Sequence, residues 1–203
     1  MGYCTRLRAL DFRNSLGAPV RQRVVLLTGQ SSFRSSRLMP SQVDFLKAVA
    51  PPDTEPLLAG FPFHPAFDCG VRDASLPVAA ARNSLQFIWS LTSEEFRRAI
   101  AAALRPLLQN KLVIVTGSCG LQMLAAATTV LPIEARIIAL GPAMLRPYSL
   151  DMRRVSVLQG HRDGWSRLLY RGPVNTYCEA DHLGYWESHE VRGIVAGLMR
   201  GAA

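Results

Sequence analysis

The sequence Leu-Val-Ile-Val-Thr-Gly-Ser-Cys-Gly-Leu occupies residues 112–121 and holds the strongest local pattern of the chain. Its first part, Leu112–Val115, is a short continuous apolar run of the kind found in strands that are buried on both faces of a parallel sheet. A turn of small residues follows, and then Leu121–Val130, an alanine-rich segment that favours a helix. The stretch therefore predicts a strand, a tight turn and a helix in immediate succession.

The tight turn carries two nucleophilic side chains, Ser118 and Cys119. In a strand–turn–helix of this kind the nucleophile projects above the sheet, and small residues two positions before and after it let the helix approach the strand. Around Ser118 those positions hold Thr116 and Gly120, whereas a nucleophile at Cys119 would place Leu121 in the turn. Because Leu121 would crowd the turn, we predict that Ser118 is the nucleophile.

The same turn has a second interpretation, since small residues before a helix also bind phosphate through backbone N–H groups. The sequence contains neither Gly-x-x-x-x-Gly-Lys-Ser/Thr nor a complete Gly-x-Gly-x-x-Gly. Because both motifs are missing, phosphate binding is the less favoured alternative for residues 116–120.

Apolar runs of strand length alternate with amphipathic segments along the whole chain. This pattern predicts an α/β fold with three layers, in which a mostly parallel sheet is flanked by helices. At 203 residues the chain is expected to form a single domain over residues 1–203. Strands are expected at residues 3–12, 24–27, 57–63, 112–115, 135–140, 154–158 and 174–178. Helices are expected to begin at Ser41, at Thr92 or Ser93, at Leu121 and at Glu187.

Residues 64–91 contain two prolines, Pro65 and Pro77, together with aromatic residues, and predict a long irregular stretch. Loops of that length in compact domains are usually lids or binding elements, with disorder as the alternative. We therefore expect a lid or insertion at residues 64–91. The aromatic side chains of this region are expected to pack in the core or lid rather than to contact substrate; they are Phe61, Phe63, Phe67, Phe87 and Trp89.

Polar side chains follow two later strands. Asp163 comes after Gly160 at the end of one strand, and His182 comes after the strand that ends at Cys178. The order Ser118, Asp163, His182, each just past the carboxyl end of a strand, resembles the α/β-hydrolase family. The resemblance implies a small serine esterase or thioesterase, and the link between residues 141 and 153 is too short for that family's usual helical cap.

The resemblance also implies roles for these residues. Ser118 would attack an acyl carbon, His182 would take and return the proton, and Asp163 would fix the tautomer of the imidazole. Residues 23–30 are similar to the family's early strand and oxyanion turn, with Thr28 where the family has histidine. The backbone N–H groups of Gln30 and Cys119 are the candidate oxyanion-hole donors.

Each of these residues also has a purely structural interpretation. Asp163 would cap a turn or the helix around residues 165–170, and His182 would be a capping or surface residue. Asp181 ranks behind Asp163 as the acid because it is expected to point elsewhere. The other histidines are expected to be solvated or hydrogen-bonded (His161, His189) or to line the pocket beneath the lid (His64).

The charge balance is basic, with 23 Lys and Arg against 15 Asp and Glu and a formal net charge of +8. Only Lys47 and Lys111 are lysines, and arginine suits the recognition of phosphate and carboxylate groups. Because the arginines are scattered, a solvated surface is the favoured interpretation; as the alternative, the positive charge would suit an acyl group carried on coenzyme A or on an acidic acyl carrier protein. Nucleic acid is an unlikely partner because the basic stretches are short.

The four cysteines form no Cys-x-x-Cys pair and show no metal-ligand spacing with the four histidines. We therefore expect no metal and no cofactor. The first residues lack the apolar core of a secretory signal, and the apolar runs are too short to span a membrane. A cytoplasmic protein without a membrane span is expected.

Together these features predict a serine hydrolase that cleaves an acyl ester or thioester through an acyl-serine intermediate at Ser118. Two alternatives stay open. An acyltransferase would use the same triad with an alcohol or amine as acceptor. A non-catalytic ligand-binding protein with a hydrolase fold is favoured by Thr28 and Thr116, which depart from the family pattern.

Overall fold

The structure is a computed structural model that describes residues 2–12, 20–67, 74–109 and 111–201. Its strands are β1 (Gln22–Leu27), β2 (Glu55–Pro56), β3 (Lys111–Gly117), β4 (Arg136–Leu140), β5 (Val155–Gly160) and β6 (Thr176–Cys178). Its α-helices are α1 (Tyr3–Arg8), α2 (Pro40–Val49), α3 (Leu76–Thr92), α4 (Glu94–Leu104), α5 (Gly120–Ala127), α6 (Gly164–Leu169) and α7 (His189–Arg200). Short 3-10 helices lie at Pro65–Phe67, Leu107–Gln109, Met152–Arg154 and Gly184–Trp186.

The six strands form one sheet in the order β2-β1-β3-β4-β5-β6, and every pairing between neighbours is parallel. The apolar runs of β1, β3 and β4 are buried nearly throughout, which explains why their sequences lack a polar face. The expected α/β fold with a mostly parallel sheet is confirmed.

Helices cover both faces of the sheet, because alternate strand residues point to opposite sides. Val24 and Leu26 of β1 pack in one cluster with side chains of α2 and α7. Val25 and Leu27 pack in a second cluster with side chains of α1, α4 and α5. These two cores produce the three layers that the alternating sequence pattern predicts.

The expected strand at residues 3–12 is wrong, since this segment begins with helix α1. Tyr3 and Leu7 are one helical turn apart and share a face. Leu7 is fully buried, and the Tyr3 ring stacks on Phe33 and Trp89 with centroid distances of 4.3 and 5.8 Å. Tertiary packing of two apolar side chains therefore stabilises a helix in a sequence with weak local preference.

The expected strand at residues 57–63 is also wrong. Strand β2 comprises Glu55–Pro56, and beyond it the chain makes a single antiparallel bridge between Ala59 and Arg37. Pro56 and Pro62 carry no N–H group and cannot donate to a β-ladder, which limits the pairing of this segment.

The irregular stretch expected at residues 64–91 is wrong for its second half, which forms the 17-residue helix α3. Pro77 lies in the first turn, where its missing N–H costs nothing, so a residue that suggested a loop instead begins a helix. Ser93 ends this helix and caps α4 by accepting the Phe96 N–H at 3.2 Å. Residues 68–73 lie outside the described residues, and a lid role for this region stays a prediction.

The sheet has a topological switch point between β1 and β3. From β1 the chain moves to the edge strand β2, and it then returns to place β3 on the other side of β1. Ligands of open parallel sheets bind outside the carboxyl ends of the strands at such a point. Gln30 and Ser118 follow the carboxyl ends of β1 and β3, so both lie at this position. In the described part of the chain, no helix has the length and apolar character needed to cross a membrane.

Candidate active site

Ser118 lies in a sharp turn between the end of β3 and the start of α5. Its φ angle is 51°, in the left-handed region that non-glycine residues rarely adopt and that costs about 1–3 kcal/mol. The turn is this tight because α5 crosses directly over β1: a Cβ atom on Gly120 would lie 1.9 Å from the Leu27 carbonyl oxygen. The requirement for a small residue two positions after Ser118 therefore has a steric cause.

The structure brings Ser118, His182 and Asp163 together in one hydrogen-bonded row. The Ser118 Oγ lies 3.0 Å from His182 Nε2, and His182 Nδ1 lies 2.9 and 3.0 Å from the two oxygens of Asp163. An ionised carboxylate can only accept, so the Nδ1 atom carries the proton that it donates to Asp163. Nε2 is then left as an acceptor for the Ser118 hydroxyl, which is the arrangement that a general base requires.

Asp163 is fully buried yet retains its charge. Burial raises the pKa of this carboxyl group, but hydrogen bonds from His182, from the Ser166 N–H and from Tyr185 outweigh burial and lower the pKa below its usual range. The Ser166 bond, at 2.9 Å, caps helix α6. Asp163 is thus both a helix cap and the partner of His182, so its two interpretations from the sequence hold at once.

Tyr185 completes the surroundings of Asp163 and was not anticipated from the sequence. Its hydroxyl donates to Asp163 Oδ2 at 2.9 Å and accepts the Gly160 N–H at 2.7 Å. The side chain is buried, and both burial and the charge of Asp163 raise the pKa of the phenol, so the group stays a donor. Tyr185 lies three residues after His182 in a 3-10 helix, and no local sequence pattern indicates that its hydroxyl reaches back to β5.

Cys119, the other candidate nucleophile, is buried beneath the turn. Burial raises the pKa of its thiol to about 12, which keeps the group protonated at neutral pH. Because the thiolate is the nucleophilic form of cysteine, this environment suppresses the reactivity of Cys119. Of the two side chains, the geometry favours Ser118.

The two candidate oxyanion donors differ in their surroundings. Cys119 is the N-cap residue of α5, where backbone N–H groups and the helix dipole favour negative charge. The Gln30 N–H donates to Gln86 Oε1 over 3.4 Å, and Gln86 Nε2 donates back to the Gln30 carbonyl at 3.2 Å. Gln86, a fully buried residue of α3, therefore holds the Gln30 peptide on both sides. The oxyanion role of Gln30 and Cys119 stays a prediction.

A cleft of about 520 Å³ opens above the row of three side chains, and Ser118, His182, Gln30 and Cys119 line it. One wall is formed by α3. Phe61 and Phe87 also line the cleft, whereas Phe63, Phe67 and Trp89 pack in or against the core. His64, expected to line the pocket, does not line the cleft: it contacts the Phe12 ring and the Asp11 carbonyl.

The remaining titratable residues near the sequence motifs have structural partners of their own. Asp181 accepts the N–H groups of Leu183 and Gly184 at 3.0 and 2.9 Å, so it points away from His182. His161 is exposed and stacks on Tyr177. Within the residues that the structure describes, no three His, Cys, Asp or Glu side chains come close enough to hold a metal ion.

Comparison with known proteins gives structural neighbours. No protein-family model matches the chain, and no curated protein does. Two structures of acetyl xylan esterase, one an iodinated complex, are similar at 16% and 15% identity, with TM-scores of 0.44 and 0.48; each comparison covers 91% of this chain and 99% of the other. TT1662 from Thermus thermophilus is similar at 12% identity and a TM-score of 0.48, covering 91% of this chain and 90% of that one.

Proposed function

We propose that this protein is a serine hydrolase that cleaves an acyl ester or thioester through an acyl-Ser118 intermediate. The observation that supports the proposal is the row of contacts from Ser118 Oγ through His182 to Asp163, with distances of 3.0 and 2.9 Å. A buried, charged carboxylate behind an imidazole that faces a hydroxyl is the arrangement needed to activate a serine at neutral pH.

The reaction would proceed in two halves. Ser118 Oγ attacks the carbonyl carbon while His182 Nε2 takes the hydroxyl proton, and the proposed donors to the resulting oxyanion are the backbone N–H groups of Gln30 and Cys119. The bond from carbon to the leaving oxygen or sulfur then breaks, and His182 returns the proton to the leaving group. A water molecule attacks the acyl-serine with the same proton transfers and releases the acid.

The leaving group is proposed to be coenzyme A or an acidic acyl carrier protein, either of which is an anionic carrier of the acyl group. Arg37 lines the cleft, and none of the described residues that line it is an aspartate or glutamate. With a net charge of +8, the protein would attract an anionic substrate, and no carboxylate at the cleft would oppose its approach.

The direct test is the hydrolysis of p-nitrophenyl butyrate by Ser118→Ala and His182→Ala. Removing either group should lower kcat by roughly 10⁴-fold or more, because the triad acts as a unit. Ser149→Ala, an exposed serine in a turn after β4, is the matched control and should keep its kcat. Circular dichroism would confirm that all three variants fold. Full activity of Ser118→Ala would overturn the proposal.

A further inference from the structure

Helix α3 presents a regular stripe of residues to the cleft above Ser118. The apolar members are Leu76, Ala79, Ala80, Phe87 and Ile88, which together with the intervening Asn83 and Ser84 recur at intervals of three and four residues and so lie on one face of the helix. Leu76 is 62% exposed and Ile88 is 49% exposed, so these side chains stand open in the cleft. Burial of such apolar surface stabilises a complex because it removes the surface from water. This face is therefore built to receive an apolar group.

The position of α3 is fixed by bonds to the loop after β1. Arg82 Nη1 donates to the Ser31 carbonyl at 2.7 Å, and Gln86 bonds both backbone groups of Gln30. These hydrogen bonds hold α3 in place as one wall of the cleft.

The wall also lies close to the proposed reacting atoms. A Cβ atom on Gly29 would lie 2.2 Å from Asn83 Oδ1 and 2.7 Å from Cys119 Sγ, so α3 and the turn of Ser118 meet across this glycine. A group attached to Ser118 would therefore have α3 beside it.

The chemistry of the wall selects among acyl groups. A polar acyl group needs several hydrogen-bond partners, and this stripe offers only Asn83 and Ser84 among its seven positions. The exposed apolar side chains of Trp165 and Leu183 also line the cleft. An extended aliphatic chain matches a long apolar wall, whereas an acetyl group would leave most of it in water.

We propose that α3 is the acyl-chain wall of the site and that the substrate carries an aliphatic acyl chain of medium length, well beyond acetyl. The proposal rests on the proposed function for the attachment of the acyl group to Ser118. Ala80 lines the cleft, so a larger side chain at this position would occupy the space beside the wall. Ala81 follows it on the same helix, is exposed and lies outside the cleft lining, so it provides a matched control.

The test measures kcat/KM for the p-nitrophenyl esters of acetate, butyrate and octanoate. The unmodified protein should prefer octanoate over acetate by about tenfold or more, since full burial of even one additional methylene in an apolar site contributes on the order of tenfold. Ala80→Phe should lower the octanoate value by about tenfold or more and change the acetate value less than about threefold, whereas Ala81→Phe should change neither. Equal preference for acetate and octanoate, or equal effects of the two variants, would overturn the proposal.

A second measurement separates this proposal from the catalytic one. Octanoate is titrated into Ser118→Ala by tryptophan fluorescence, because Trp165 and Trp186 line the cleft. Binding that Ala80→Phe weakens and Ala81→Phe does not would support the wall even if no ester were hydrolysed. Hydrolysis of all esters without octanoate binding or chain-length preference would overturn the wall and leave the serine hydrolase standing.

Discussion

Asp163 accepts hydrogen bonds from three other residues at once: His182, Ser166 and Tyr185. Each donor stabilises the charged form, and together they outweigh the cost of burial and lower the pKa of the carboxyl group. This is what makes a buried negative charge available to hold the imidazole of His182. At the scale of single residues, the site therefore depends on the donors around Asp163 as much as on the three predicted side chains.

Tyr185→Phe tests this dependence. The variant leaves the Gly160 N–H without its acceptor and removes one donor from Asp163, so the free energy of unfolding should fall by about 1–3 kcal/mol at pH 7. With the donor gone, the pKa of Asp163 should rise.

The pH dependence of Tyr185→Phe follows from the direction of the Asp163 shift. A lowered pKa in the folded state means that the stabilisation is complete above the unfolded value and is lost as pH falls from about 3.8 through the folded pKa. Tyr185→Phe has less of this stabilisation to lose. The amount by which its free energy of unfolding lies below that of the unmodified protein should therefore shrink as pH falls through that window. Urea unfolding at pH 7 and at a series of pH values descending from 3.8 through the folded pKa measures this deficit, and a deficit that stays constant over the whole series would refute this account.

At the scale of elements, the sequence was most informative where burial is two-sided. The sequence predicts strands β1, β3, β4 and β5 within a few residues of their observed bounds, because short segments rich in Val, Ile and Leu and bounded by turn residues are typical of buried strands. The segments now seen as α1, β2 and α3 were missed for physical reasons: α1 is held by packing at long range, β2 is shortened by prolines, and Pro77 begins α3 instead of breaking it.

The same contrast holds for the site. The approximate positions of Ser118, Asp163 and His182 follow from the ends of parallel strands, which share one edge of a sheet. Tyr185 bonds to Asp163, which is 22 positions away in the sequence, and Gln86 bonds to Gln30, which is 56 positions away. No local spacing encodes such contacts.

The close crossing of α5 over β1 predicts opposite effects of two Gly→Ala substitutions. Gly120→Ala should lower the free energy of unfolding by about 1–3 kcal/mol or more, because the new methyl group meets the backbone oxygen of Leu27, which cannot move aside. Gly193→Ala, within helix α7, has nothing within 4 Å of its Cβ position and should raise stability by about 0.5–1 kcal/mol. Urea unfolding of both variants measures the difference, and equal shifts would contradict the crossing.

At the scale of the whole molecule, the net charge of +8 and the absence of aspartate and glutamate among the described cleft residues predict a salt effect. The screening length falls from about 30 Å at 0.01 M to about 8 Å at 0.15 M salt, so attraction of an anionic substrate weakens over this range. The kcat/KM for octanoyl-coenzyme A should fall several-fold, whereas that for neutral p-nitrophenyl octanoate should stay nearly constant. Equal responses of the two substrates would remove the charge argument.

The central claim is that three side chains distant in sequence activate the Ser118 hydroxyl at the switch point of the sheet. Mass spectrometry of the protein after treatment with a fluorophosphonate measures this most directly, because the reagent marks activated serines covalently. The account predicts one adduct on the peptide that contains Ser118, loss of that adduct in Ser118→Ala and strongly slowed labelling in His182→Ala. An adduct on another residue, or labelling that is unchanged in His182→Ala, would contradict it.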